Sequence, residues 1–83
     1  MKFLRMRPGY GEQLIAEGDF EVADDQERLV EEFRRQLDQG MWAAVPVISE
    51  SGRREAEMVR AFEDIPRMTD RVIFFPRAAG GAR

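Results

Sequence analysis

One hexapeptide constrains this chain more than any other segment. Arg71-Val72-Ile73-Phe74-Phe75-Pro76 places four large apolar residues in succession, β-branched then aromatic, and closes them with a proline. Val, Ile and Phe fit a pleated, covered surface, and proline cannot go on donating to a ladder. The run therefore reads as one strand at the centre of a small fold. The residues after it, Arg77-Ala78-Ala79-Gly80-Gly81-Ala82-Arg83, are too small and too glycine-rich to pack. The division that follows is a domain over residues 1–76 and a flexible C-terminal tail over 77–83.

A chain of 83 residues makes one domain with a small core, close to the lower limit of independent stability. It has no cysteine and no histidine. Disulfides, thiolate chemistry, the commonest proton shuttle and the commonest metal ligand are all missing. Ser49, Ser51 and Thr69 have no histidine base, and the one lysine is Lys2. The expectation is no catalysis, no cofactor and no metal, with Asp64 and Asp70 capping a loop. No window approaches the roughly 18 apolar residues of a membrane span. The first residues, Met1 to Arg7, are too short and too charged for a signal peptide. A soluble, cytoplasmic protein is expected, with no membrane partner.

The net charge of −3 conceals an asymmetry. Nine acids lie between Glu12 and Glu32 with Arg28 as the one base, whereas four arginines and the single acid Asp70 lie from Arg67 onward. One face or end should be negative and the tail end positive. Direct nucleic-acid binding does not fit an acidic chain with scattered arginines.

Along the chain, Phe3 to Arg7 alternates as a strand, and Pro8-Gly9 supplies a type II turn. Gln13 to Val22 alternates again, with Leu14, Ala16, Phe20 and Val22 on one face and Gly18 marking a bulge or a turn. Asp24 to Gly40 reads as a helix. Asp24 caps it, Leu29, Val30, Phe33 and Leu37 form its apolar stripe, Glu31 and Arg35 pair across one turn, and Gly40 stops it. Met41 to Ile48 is a continuous apolar run, as in a strand covered on both faces, although Pro46 belongs at an edge or a bulge. Glu50 to Arg53 is a hairpin loop. Residues 54–62 fit a helix through Met58, Val59, Phe62 and Ile65, or a strand with Ala56, Met58 and Phe62 on one face. The hairpin geometry and Pro66 favour the strand. The outcome is an α+β class with a β-grasp-like mixed sheet, in the order β-β-α-β-β-β with one packed helix. If the last strand lies beside the first in parallel, the helix forms part of the crossover between them.

That element order resembles ubiquitin-like β-grasp proteins, and the C-terminal third resembles the MoaD and ThiS sulfur carriers. In those carriers a strand and tail of the type VAFFPP-x-x-GG close the chain. The corresponding residues here are Val59 to Pro66, then Asp70 to Pro76, then Ala78-Ala79-Gly80-Gly81. The resemblance implies a partner-binding end made of Phe75, Arg77, Ala78, Ala79, Gly80 and Gly81, and an adenylating enzyme as partner. In the carriers the last glycine carboxylate is adenylated and converted to a thiocarboxylate. Here Ala82 and Arg83 follow Gly81, so the carrier version requires trimming to Gly81, and Arg77 replaces the second proline.

The function that these readings support is a non-catalytic interaction or carrier module acting through its sheet surface and Gly-Gly tail. Trp42, Phe62, Phe74 and Phe75 are core candidates, while the strand face carrying Ile73 and Phe75 becomes a binding patch if no helix covers it. A second reading is a small acidic inhibitor or decoy, whose Glu27, Glu31 and Glu32 occupy a partner's basic nucleic-acid-binding site. A third is a structural subunit of a larger assembly.

Overall fold

The computed structural model of the protein describes residues 1–77; Ala78, Ala79, Gly80 and Gly81 of the expected tail site lie outside the described residues. Five strands and one long helix follow one another as β1 (Lys2–Arg7), β2 (Gly11–Glu17), α1 (Ala23–Asp38), β3 (Met41–Ile48), β4 (Arg54–Val59) and β5 (Arg71–Pro76). A single 3-10 turn at Phe62–Asp64 precedes β5. The strands form one mixed sheet in the order β2-β1-β5-β3-β4. β5 is therefore the middle strand, parallel to β1 and antiparallel to β3. This is an α+β fold with a β-grasp-like sheet and one packed helix.

Local chemistry accounts for most of the boundaries. Gly9 has a φ of 84° and the Tyr10 N–H donates to the Arg7 carbonyl at 2.8 Å, which closes the β1–β2 turn at Pro8-Gly9. Gly40, also at 84°, takes the left-handed position after α1, and its N–H donates to the Leu37 carbonyl. Leu29 and Phe33 of the helix stripe are buried, with Val30 and Leu37 packed partly against the same core. Phe3, Val45, Val72 and Phe74 meet them from the sheet and are almost completely excluded from solvent. Each such side chain contributes on the order of 1.5–3 kcal/mol by burial.

Several expectations need correction. β2 stops at Glu17, so Phe20 and Val22 are not strand residues. Of the two readings of Gly18 the turn holds, since the Val22 N–H donates to the Asp19 carbonyl just after it, and the bulge falls at Ile15 instead. Phe3 pairs with Ala16 while Leu4 pairs with Leu14, which leaves Ile15 as the extra residue. The extra residue reverses the alternation, so Ile15 and Ala16 pack against the core while Leu14 faces outward. Asp24 does not cap α1. Val22 holds that position without a side-chain cap, and the acid that ties down the start is Asp25, which accepts the Asp19 N–H at 2.8 Å. Arg35 pairs with Glu32 at 2.8 Å rather than with Glu31.

β3 is covered by the helix on one face only. Met41, Ala43 and Val45 point into the core, whereas Trp42, Pro46 and Ile48 are exposed on the other side. Pro46 is tolerated because the β5 pairing ends at Ala44, so β3 has a neighbour on one side only at that point. Residues 54–59 form the favoured strand, but Phe62 belongs to the 3-10 turn. Val59 faces the core opposite Ala43, which puts Met58 and Ala56 on the outer face and separates them from Phe62. Asp64 and Asp70 make no side-chain hydrogen bond among the described residues; the Asp70 carbonyl instead accepts the Lys2 N–H at 2.8 Å. Among the described residues, no helix is long and apolar enough to cross a membrane.

Candidate interaction surface

The helix covers one face of the sheet and leaves the other bare. Strand register assembles the bare face residue by residue. Leu14 of β2 stands beside Leu4 of β1, Leu4 beside Ile73 of β5, Ile73 beside Ala44 of β3, and Ala44 beside Met58 of β4. An apolar row thus crosses all five strands without a polar break. A second row runs alongside it through Met6, Phe75 and Trp42, with Trp42 directly opposite Phe75. Leu14 is 50% exposed, Met58 41% and Trp42 37%, while Ile48 at the far end reaches 73%. Apolar area that is contiguous rather than scattered is the surface signature of a binding site.

Phe75 is half-buried within this face, at the end of the middle strand. Arg77 follows at once. Its guanidinium lies 5.5 Å from the centre of the Trp42 ring, and its N–H donates to the Gly40 carbonyl at 3.4 Å. A cation over an indole face is worth about 0.5–1 kcal/mol at an exposed site. The described part of the expected site, Phe75 and Arg77, therefore forms one corner with Trp42. Sequence reasoning placed Trp42 in the core. The alternation within Met41 to Ile48 carried the missing signal, since Trp42 has the opposite parity to Met41, Ala43 and Val45.

Charge divides across the sheet rather than along the chain. Lys2 and Arg71 lie in register on the bare face and Arg54 shares that face opposite Ile48 at the start of β4, with Glu12 and Glu17 of the edge strand β2 opposing them. The remaining acids of the run from Glu12 to Glu32 sit on the α1 side or its approach. Asp25 pairs with Arg28, and Glu32 with Arg35 and with the buried Gln36. The Asp25 carboxyl is held below its ordinary value of 3.8, first by the Asp19 N–H and then by the Arg28 guanidinium. Gln36 also accepts from Arg5 at 3.4 Å. This polar link between helix and sheet was missed, although Gln36 lies two turns from Leu29 on the buried face. Ser49 Oγ lies 3.0 Å from Ser51 Oγ and accepts the Arg53 N–H, which closes the β3–β4 loop. Among the described residues, no group of acidic side chains is arranged to hold a metal ion.

Comparison with protein-family models, curated proteins and solved structures gives no match for this chain. The fold and the bare face define an α+β domain with a β-grasp-like sheet and one uncovered apolar surface.

Proposed function

We propose that this chain is a non-catalytic, ubiquitin-like protein-interaction module that binds a protein partner through the bare face of its sheet and the strand end carrying Phe75 and Arg77. The observation that carries this reading is the unbroken row Leu14–Leu4–Ile73–Ala44–Met58, apolar across five strands and uncovered by the helix, with Leu14 and Met58 exposed, Leu4 and Ile73 half-buried and Ala44 shielded between its neighbours. A row of this kind raises the cost of leaving the surface bare and lowers its free energy when a partner's apolar side chains exclude water from it. The basic residues Lys2, Arg54 and Arg71 rim the row and bias the face toward partners with acids near their own apolar contacts.

Capture from source cells tests it. The wild-type chain and a Met58→Glu variant are immobilised, and captured proteins are identified and then titrated one by one. A true partner binds the wild type and is lost from the variant. A Glu27→Gln, Glu31→Gln variant serves as the control and retains it. The sulfur-carrier version adds a tail trimmed to Gly81, an adenylating enzyme as partner and a thiocarboxylate at Gly81. Intact mass from native cells decides that version. A species ending at Gly81, or its sulfur adduct, supports it, and unmodified chains ending only at Arg83 remove it.

The acidic-decoy reading has one observation of its own. Glu27 and Glu31 stand exposed on α1 and enter none of the ion pairs among the described residues. It predicts a partner lost with the Glu27→Gln, Glu31→Gln variant instead, with affinity that falls steeply as salt shortens the Debye length.

A further inference from the structure

The sheet ends unevenly at the corner where Arg77 sits. β3 begins at Met41, but β4 pairs with it only as far as Ala43 opposite Val59. The chain then turns away through Arg60 and Ala61 into the 3-10 turn. On the other side, β5 pairs Met41 and Trp42 with Pro76 and Phe75. The outer backbone edge of β3 at Met41 therefore has no strand against it, while the backbone groups of Trp42 turn toward Phe75. A cleft of about 330 Å³ opens there, with an apolar floor of Leu37, Met41, Ala43 and Val59. Trp42, Arg60 and Arg77 form its walls. Leu37 and Arg60 also line an adjoining hollow of about 290 Å³, where the acids Asp38 and Glu63 lie.

Three features coincide at this notch. Arg60 and Arg77 enter none of the ion pairs among the described residues, and no acid lines the notch itself. The floor is apolar. The backbone of β3 is open to a short extended segment. An anion alone satisfies the arginines and leaves Leu37 and the Trp42 ring wet; an apolar side chain alone does the reverse. The end of a polypeptide supplies extended backbone, a terminal side chain and a carboxylate within one residue of each other. We propose that the notch between α1, β3 and β4 receives the C-terminal residues of a partner polypeptide whose last side chain is apolar. The carboxylate accepts from the Arg60 and Arg77 guanidinium groups, the side chain covers the half-buried Leu37 and the exposed part of Trp42, and the backbone extends the ladder at Met41. The proposal rests on the preceding reading for the existence of a protein partner and not for the notch itself.

The test is an NMR titration of the full chain, labelled with nitrogen-15, by acetyl-Gly-Gly-Val-Leu and acetyl-Gly-Gly-Val-Phe, each as free carboxylate and as C-terminal amide. The expected result is saturable shifts of the Met41, Trp42, Val59 and Arg60 amides by at least one free carboxylate. Amidation weakens that binding about tenfold or more, as loss of a charge-assisted hydrogen bond does. Arg60→Gln weakens it to a similar degree and leaves the remaining amide spectrum in place, because Arg60 is exposed. The proposal is overturned if neither peptide causes saturable shifts up to millimolar concentration, if the amides bind as well as the acids, or if the shifts fall on Leu4, Ile73 and Met58 instead. Failure here with partner capture still sensitive to Met58→Glu removes the notch alone. Peptide binding without any such partner removes the sheet-face reading alone.

Discussion

Two faces of one sheet use alternate residues of the same strands and reach opposite ends. Under α1, Phe3, Phe33 and Phe74 meet as tilted or edge-to-face rings, with centroids 5.2 to 6.4 Å apart. One residue along each strand, Leu4 and Ile73 lie on the uncovered side beside Met58 and Trp42. Both faces are apolar, so hydrophobicity does not distinguish them. The single helix does, because it excludes water from one face only. An uncovered face of a stable sheet is usually polar, alternating with the apolar residues that point inward. Here the outward residues along the middle of the sheet keep the composition of a core without a cover, with charged residues only at the rim, and that mismatch is the strongest functional statement the fold makes.

Substitutions that separate the two faces break or sharpen this comparison. Phe74→Ala has the largest expected effect, a loss of about 3–5 kcal/mol from a filled core. In a domain of this size that is most of the stability, and urea unfolding should show an unfolded or nearly unfolded chain. Ile73→Ala, its neighbour on β5, should cost only about 1–2 kcal/mol because the side chain is half-buried. Equal losses at 73 and 74 would erase the distinction between the faces. Arg77→Gln should cost about 0.5–1 kcal/mol through the lost contact with Trp42, read from the shift in the urea midpoint and from Trp42 fluorescence. The smallest effect is expected from Asp25→Asn. The folded-state titration point of Asp25 lies below its ordinary value, so its contribution is complete at neutral pH and is lost as pH falls below about 4. The variant should match the wild type in the acid and fall slightly short of it above that range, seen as a flatter acid limb in stability against pH.

The parts of this molecule legible in its sequence are those where one local signal decides. The apolar run from Val72 to Phe75 gave the middle strand, Leu29 and Phe33 gave the buried side of the helix, and Pro8-Gly9 and Gly40 gave two chain reversals. The errors fall where a neighbouring strand decides. The extra residue Ile15 is defined only by its register against Phe3 and Leu4, so the outward position of Leu14 was not readable from β2 alone. Val59 and Met58 exchanged faces for the same reason, since Ala43 across the ladder sets their parity. Asp24 and Asp25 are equally plausible acids at a helix start, and only the position of the Asp19 N–H selects Asp25. The candidate surface was half legible. Ile73 and Phe75 were recognisable as a possible bare face, whereas Leu4, Leu14, Ala44 and Met58 join them only through the order of strands in space.

The central claim is that the bare face is open in the isolated chain and closed in its complex. Methyl NMR with a soluble paramagnetic agent measures this directly on Leu4, Leu14, Ile73 and Met58, with Leu29, Val45 and Val72 as the covered reference. The predicted result is strong bleaching of the first group in the free chain, its protection when a captured partner is added, and no change in the second. Contradiction would be a first group as protected as the second in the free monomer, or one that stays bleached while the partner is bound.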